Sequence, residues 1–578
     1  MYRKEYPRPA LVRKEWLNLN GIWDFAFDDD NVGLNENWVE KGKFPLKINV
    51  PFAFQTPLSG INDPSFHDYV WYRRFFSVKK EEGKRFILHF GAVDYECKIY
   101  LNKKHIGDHI GGQVPFSFDV TDFLNFNEEE LVVWVSDPST ELSMPRGKQY
   151  WKEKSEVIWY NRTTGIWQTV WLEIVPEAYV KSMRITPLFD EGKVHFSLSF
   201  SQVGRELILE DENGKIKYAK VPNKLTHEFT VQTFLDEQDF ITKAWSPENP
   251  HLFPFKLRYG DDLISSYFGM RKVHADKGIT YLNNKPYYMK LVLDQGYWPQ
   301  SLVTPPSKEA LEYDIKMAKA MGFNGARKHQ KCEDPYFAYY ADKLGFLVWG
   351  EMASSIRFSE KSAWRDKHEW PQIIARDYNH PSIVAWVPLN ESWGVDDIGH
   401  DKRQQQHALE LYYLIKSLDN TRFVVGNDGW EQIITDICAI HNYNHGRHDD
   451  KDAIAAFNKS ISTKEELLKS RPANRDIYAE GYSYRGEPIL LTEFGGISYQ
   501  MNEDKGWGYT AVGDAEHLLS EYKRIILAIK ESTALVGYCY TQLTDVEQEI
   551  NGLLTYDRKP KLPVEKVKEV NDLIQKYK

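Results

Sequence analysis

The apolar positions of this chain change their rhythm twice. Over residues 1 to 180 they come as short aromatic and β-branched runs: RFILHF (85–90), CKIYLN (97–102), VPFSFDV (114–120) and LVVWVS (131–136). Gly, Asn and Asp punctuate them and no long helical period intervenes, which predicts a two-sheet sandwich of jelly-roll type. From 181 to 274 the runs stay β-like. KVHFSLSF (193–200) alternates strictly, and Asn213-Gly214 separates two strand-like runs in ELILEDENGKIKYAK (206–220). That dipeptide is a strong hairpin signal, and the segment's length suits an immunoglobulin-like β-sandwich.

From 275 to 578 strand-like runs alternate with amphipathic helical patterns. The strands fall at 287–293, 323–327, 346–351, 383–390, 422–427, 436–441, 488–493 and 535–541. Helical periods occupy 307–322, 401–418, 514–532 and 563–577. Eight β/α repeats predict a (β/α)8 TIM barrel as the C-terminal domain. An open doubly wound sheet is disfavoured, because neither a G-x-G-x-x-G turn nor a Walker sequence is present.

Composition narrows the function classes. The 578 residues are 42% hydrophobic and 27% charged with a net charge of −10, and no basic run of five occurs, which argues against a nucleic-acid surface. Aromatics reach 14%, a surplus that fits β-structure and stacking on sugar rings. Cys97, Cys332, Cys438 and Cys539 form no C-x-x-C pair and read as reduced, buried thiols. The opening MYRKEYPRPALVRKEW has no apolar core of a secretory signal, and no stretch approaches a membrane span; a cytoplasmic protein without membrane partners is expected.

Three glutamates close strand-like runs in the barrel region: Glu351 after FLVWG, Glu391 after IVAWVPLN and Glu493 after PILLT. Catalytic groups of a TIM barrel sit at the C-terminal strand ends, and strands 4 and 7 face each other across its mouth. A carboxylate at the end of an apolar run must be paired, neutralised or working. Two of them on opposite strands suit glycoside chemistry, in which one carboxyl attacks the anomeric carbon and the other protonates the leaving oxygen. Glu351 ranks as the supporting member. Trp349 and Trp386 read as barrel filling, whereas Trp393, just past Glu391, is placed to stack on substrate.

RDYNHPSIVAWVPLNE (376–391) resembles the acid/base signature of glycoside hydrolase family 2, which holds β-galactosidases, β-glucuronidases and β-mannosidases. PILLTEFGG (488–496) resembles its nucleophile strand, MGFNGARKHQ (321–330) its second strand and DICAIHNYNH (436–445) its sixth. GIWQTVWLE (165–173) and WSPENPHLFPFKL (245–257) resemble hallmarks of its two β-domains. The resemblance spans the whole chain and implies a retaining, exo-acting β-glycosidase. In it Glu391 is the acid/base, Glu493 the nucleophile, Tyr443 and Arg327 the partners that keep Glu493 ionised, and Asn390 the ligand of the sugar 2-OH. His329, His441 and Asp294 fall at sugar-contacting positions. The acid must carry its proton at rest, which an apolar strand and a negative nucleophile would favour.

Departures from the family pattern bear on the sugar. Lys328-His329-Gln330-Lys331 replaces the usual S-H-Y-P, Asp294-Gln295 replaces His-Glu, and Thr541 stands where a Trp normally floors the site. Glu549-Ile550-Asn551 occupies the place of the glucuronidases' Asn-x-Lys clamp. Arg162 lies where several members carry an Asp, and no metal-ligand motif follows strand 3, so neither metal nor cofactor is implied. Two substrates fit: a neutral β-galactoside, the first expectation, or a β-uronide (glucuronide or galacturonide) whose carboxylate is read by Arg162, Lys328 and Lys331. The simpler expectation for the lysine pair is a solvated loop. A protein of another class, a carbohydrate-binding scaffold with a silent barrel, is the third reading. The partner expected throughout is a carbohydrate or glycoconjugate, with the chain as a homodimer or homotetramer.

Overall fold

The strict alternation of 193–200 is realised as a strand, Lys193–Phe200, whose Val194, Phe196, Leu198 and Phe200 enter an apolar core while the residues between them stay partly exposed. The computed structural model describes residues 3–233, 242–501 and 506–577. Around this strand, a three-stranded sheet (Val180–Leu188, Lys193–Phe200, Thr226–Gln232) packs on a four-stranded one to make the second sandwich. The Asn213-Gly214 hairpin is present: Leu207–Asp211 pairs antiparallel with Ile216–Lys220, and Gly214 takes φ +77°. The Asp211 carboxylate supports the turn by accepting from the amides of Asn213 and Lys215 at 3.0 and 2.9 Å.

The first domain pairs a six-stranded antiparallel sheet with a four-stranded one over a core that includes Trp23, Phe25, Tyr72, Phe86 and Val133. Arg13 ties the two sandwiches together. Its guanidinium bonds Glu173 of the first (3.1 Å) and both carboxylate oxygens of Asp262 of the second (2.8 Å each). A small three-stranded sheet (Val273–Asp276, Ile279–Leu282, Lys285–Pro286) leads into the barrel.

The barrel strands are β1 Met289–Asp294, β2 Gly325–Lys328, β3 Leu347–Glu351, β4 Ile383–Val387, β5 Phe423–Val424, β6 Cys438–His441, β7 Ile489–Glu493 and β8 Leu535–Tyr540. All pair in parallel, in the order 5-4-3-2-1-8-7-6. The two ends of that order meet at a bridge between Gly429 and Ile440. The run 383–387 is continuously apolar because its two faces serve two cores. Val384, Ala385 and Val387 join the cluster of Leu291, Leu293 and Trp349, whereas Ile383 and Trp386 join the cluster shared with the helices. Strand β4 is shorter than expected. It ends at Val387, before Pro388, which has no N–H to give a ladder.

Candidate active site

Residues 388–392 leave the sheet and turn sharply. Asn390 forms a parallel bridge with Asp428, and the Glu391 amide donates to the Asp428 carbonyl at 2.8 Å. Glu391 and Ser392 then adopt φ of +52° and +61°, the left-handed region disfavoured for side-chain-bearing residues by roughly 1–3 kcal/mol each. Two bonds hold the turn: Ser392 N to Asn427 Oδ1 (3.1 Å) and Ser392 Oγ to Glu431 Oε2 (2.7 Å). The result aims the Glu391 carboxyl at the mouth, where it meets His441 Nδ1 at 2.8 Å.

Glu493, at the end of β7, is buried. Its Oε1 accepts from Arg327 Nη1 at 3.0 Å and its Oε2 from the Tyr443 hydroxyl at 2.7 Å, with His441 Nδ1 3.4 Å away. Burial alone would raise this carboxyl; the charges of His441 and Arg327 and the Tyr443 bond outweigh it and hold Glu493 below the usual carboxylate range. An oxygen of Glu391, an oxygen of Glu493 and a nitrogen of His441 all lie within 4.8 Å of one another.

His441 is the hub of this arrangement. Its Nε2 bonds Asp428 Oδ1 at 3.0 Å, so the buried imidazole faces three carboxylates. Burial pulls it down, but Glu493 and Asp428 overcome that and push it up to about 10. At neutral pH it is an imidazolium with both nitrogens donating. Glu391, His441 and Glu493 are the one cluster among the described residues with ligand-like spacing. A raised value in the folded state means that the ion pairing stabilises fully below pH ~6.5, the unfolded histidine's range, and fades as pH climbs through about 10. His441→Gln is therefore expected to lower barrel stability by about 3 kcal/mol at pH 6, with a gap that closes towards pH 10. Denaturant midpoints across that range check this; a gap independent of pH would contradict it.

Arg327 spans the floor. Besides Glu493 it reaches Glu351 Oε1 (2.8 Å), Asp428 Oδ2 (3.1 Å) and Asn390 Oδ1 (3.0 Å). The Asn390 Nδ2 is buried and has no protein partner, so it can donate to a ligand. Glu351 acts as expected of a supporting residue: its Oε2 meets His329 Nδ1 at 2.7 Å and the Gln330 amide at 3.1 Å. Burial, opposed by Arg327, leaves Glu351 above the usual range, and burial holds His329 neutral. Tyr443 also bonds Thr541 Oγ1 at 2.8 Å, which sets Thr541 on the floor near Glu493. Trp393 is half-buried and packs on Trp159 with centroids 4.8 Å apart.

The three cations expected to read a carboxylate are engaged by other groups of the chain. Lys328 bonds Asp294 (2.8 Å) and Glu333 (2.9 Å) and lies over the Phe337 ring at 4.3 Å. Lys331 bonds the same Glu333 (2.9 Å) and the carbonyls of Gly296 and Val303 (2.7 Å each). Both are buried, so the solvated-loop reading fails as well. The reason is strand parity: Arg327 points into the bore, while Lys328 shares the helix-facing side with Ala326, as Asp294 does with Val292. Asp294 is thus engaged by Lys328 and the Gly296 amide rather than by the paired glutamates. Arg162 lies over Phe66 at 3.8 Å and donates to the Pro64 carbonyl, inside the first domain.

Three residues at the site escaped the sequence reading, and a fourth, Glu549, entered it only as standing in the clamp's place. Asp428 follows a strand end in GNDGW, the same signal that marks the glutamates, and could have been found. Tyr509 stacks on Tyr443 at 3.5 Å from a short sheet after β7 that no pattern announces. Glu549 accepts from the Tyr160 hydroxyl and from Asn551 Nδ2. Lys148 arrives from the first domain and lies over Trp393.

Two β-sandwiches feeding a barrel with facing glutamates at β4 and β7 define a class of sugar-processing architecture, and the comparisons agree. Residues 16–176 match the family described as "Glycosyl hydrolases family 2, sugar binding domain", and residues 273–576 match "Glycosyl hydrolases family 2, TIM barrel domain". The chain belongs to glycosyl hydrolase family 2. It is 25% identical to a putative beta-glucuronidase of Formosa agariphila over 86% of this chain and 58% of that protein. It is also 25% identical to a beta-galactosidase of Thermoanaerobacter pseudethanolicus over 68% of this chain and 53% of the relative. The chain thus spans a little over half the length of these curated relatives. Among solved structures, a beta-glucuronidase from an uncultured Clostridium superposes with a TM-score of 0.78 at 22% identity, covering 98% of this chain and 99% of that one.

Proposed function

We propose that this chain is a retaining, exo-acting β-glycosidase working by double displacement. The observation that carries the reading is the spacing of the two carboxyls. With oxygens of Glu391 and Glu493 inside 4.8 Å, the pair stands near the ~5–5.5 Å of retaining enzymes and below the ~6.5–9.5 Å that lodges a water between inverting carboxyls. Glu493, kept ionised by Arg327 and His441, attacks the anomeric carbon; Glu391 gives its proton to the leaving oxygen as that bond breaks. A water then loses its proton to Glu391 and displaces Glu493, regenerating both groups. Asn390 Nδ2 is the donor to the sugar 2-OH. The silent-scaffold reading finds no support in a site whose carboxyls are held in unlike environments.

Of the two sugars, a β-uronide is favoured, on the glucuronidase names among relatives and solved structures and on the charge at Lys148. The neutral galactoside retains the support of the galactosidase relative. Among the described residues no helix is long and apolar enough to cross a membrane. We place the protein in the cytoplasm, a reading supported by four buried cysteines without disulfides. Proton NMR of the first sugar released from an aryl β-glycoside tests the mechanism: the β-anomer is expected first, and initial release of the α-anomer would defeat the retaining assignment.

A further inference from the structure

The first domain sends a strap, residues 146–162, to the mouth of the barrel. The amides of Arg146 and Gly147 donate to the Ser354 carbonyl at 3.1 and 3.0 Å, and Tyr160 N donates to the Lys148 carbonyl at 2.9 Å. Gly147 takes φ +57°, and a Cβ there would stand 2.4 Å from the Gln330 carbonyl oxygen, so glycine is what lets the strap approach the loop after β2. On the other side, Gln548 Nε2 bonds the carbonyls of Val157 and Trp159 at 2.9 Å each, behind β8. Lys148 is fixed between these anchors.

Its surroundings are unusual for a lysine. Lys148 is only 6% exposed, and its ammonium lies 5.3 Å from the Trp393 ring centroid and 5.8 Å from that of Tyr160. Among the described residues no carboxylate comes within ion-pairing distance, in contrast to Lys328 and Lys331. Ring faces of this kind contribute about 0.5–2 kcal/mol, less than the several kcal/mol that removing an ammonium from water costs. The Lys148 charge is felt by His329 and by Glu549. Glu549 is a weak competitor for it: burial raises that carboxyl, and Tyr160 and Asn551 already engage its oxygens.

Resting on the glycosidase reading above, we infer that Lys148 is the specificity-determining residue of this pocket, its ammonium pairing with the carboxylate of a β-uronide glycone. The chemistry recognised is an anionic oxygen group facing a nearly buried cation without an ion-pair partner, a pairing that a neutral sugar does not supply. An acidic group on the leaving unit would present the same chemistry from the other side of the scissile bond.

The test compares wild type with Lys148→Met, which keeps the length and the ring contacts, and Lys148→Arg, which keeps the charge. The substrates are aryl β-glucuronide, β-galacturonide, β-galactoside and a β-galactoside whose aryl group carries a carboxylate. The ratio of kcat/KM for uronide over galactoside is expected to fall about 100-fold in Lys148→Met, or ~2.7 kcal/mol, and to stay within about tenfold of wild type in Lys148→Arg. Equal losses on all substrates would mean a structural lysine and overturn the inference, as would a loss confined to the acidic aryl group. Calorimetric titration of free glucuronate, galacturonate and galactose reads the same pairing without catalysis. Uronate binding about 100-fold weaker in Lys148→Met sustains Lys148 even if no glycoside is cleaved. Uronate binding equally tight in both, beside normal turnover, removes Lys148 and leaves the glycosidase reading standing.

Discussion

Glu493→Gln is expected to lower kcat by about four to six orders of magnitude on every cleaved glycoside, the scale seen when a nucleophile is deleted from a working set. The amide matches the carboxylate in shape but carries no charge and cannot form the glycosyl ester. Arg327 and His441 also lose the anion that both now face at 3.0 and 3.4 Å. Both cations keep Asp428 as a counter-charge, and Arg327 keeps Glu351, so this loss should destabilise the barrel by only about 1–3 kcal/mol as well. The two effects separate cleanly. A folded fraction judged by circular dichroism corrects the rate for stability, and the corrected rate should still be lost. Retention of more than about a hundredth of the activity in folded protein would move the nucleophile elsewhere.

Glu391→Gln should act differently, because its role depends on the leaving group. The first step needs a proton only when the departing oxygen is a poor anion. For an alkyl or sugar leaving group kcat/KM is expected to fall by about 10²–10⁴, the usual contribution of general acid catalysis. For a dinitrophenyl leaving group, which departs unaided, kcat/KM should change by less than about tenfold. The kcat values should fall for both, since removal of the sugar from Glu493 still requires Glu391 to take a proton from water. The contacts of Glu391 differ from those of Glu493: it meets His441 but not Arg327, and its backbone is held at φ +52° so that the carboxyl faces the mouth. A series of aryl glycosides with graded leaving groups gives the slope. Equal losses in kcat/KM across the series would contradict the acid/base role.

How far the sequence could be read depended on the range of the forces involved. The β/α rhythm and the strand-end glutamates are local patterns, so the barrel and the Glu391/Glu493 pair were legible directly. The Asn213-Gly214 hairpin was legible for the same reason, its turn being set by neighbours in sequence. Lys328 and Lys331 depart from both expectations, solvated loop and free carboxylate reader, because charge alone does not tell solvent from a buried ion pair. Counting parity from the inward Arg327 would have turned Lys328 towards the helices, where Asp294 and Glu333 neutralise it. The sequence predicts strand to 390, but the chain turns after Val387, since the bonds to Asn427 and Glu431 that bend it come from loops far along the chain. Lys148 was out of reach altogether: its place depends on Gly147 meeting Gln330, a contact between domains that no local pattern encodes. Asp428 is the intermediate case, a strand-end carboxylate passed over because β5 itself is so short.

The central claim is that Glu493 becomes covalently bonded to the sugar while Glu391 serves both halves of the reaction. A 2-deoxy-2-fluoro β-glycosyl fluoride tests it most directly, because the 2-fluorine slows both formation and release of the ester while the good fluoride leaving group keeps formation fast enough for the ester to accumulate. Intact mass spectrometry should show one sugar added per chain, and peptide mapping should place it on Glu493. A label on any other residue, or none while the same protein releases the α-anomer from an aryl β-glycoside, would contradict the account.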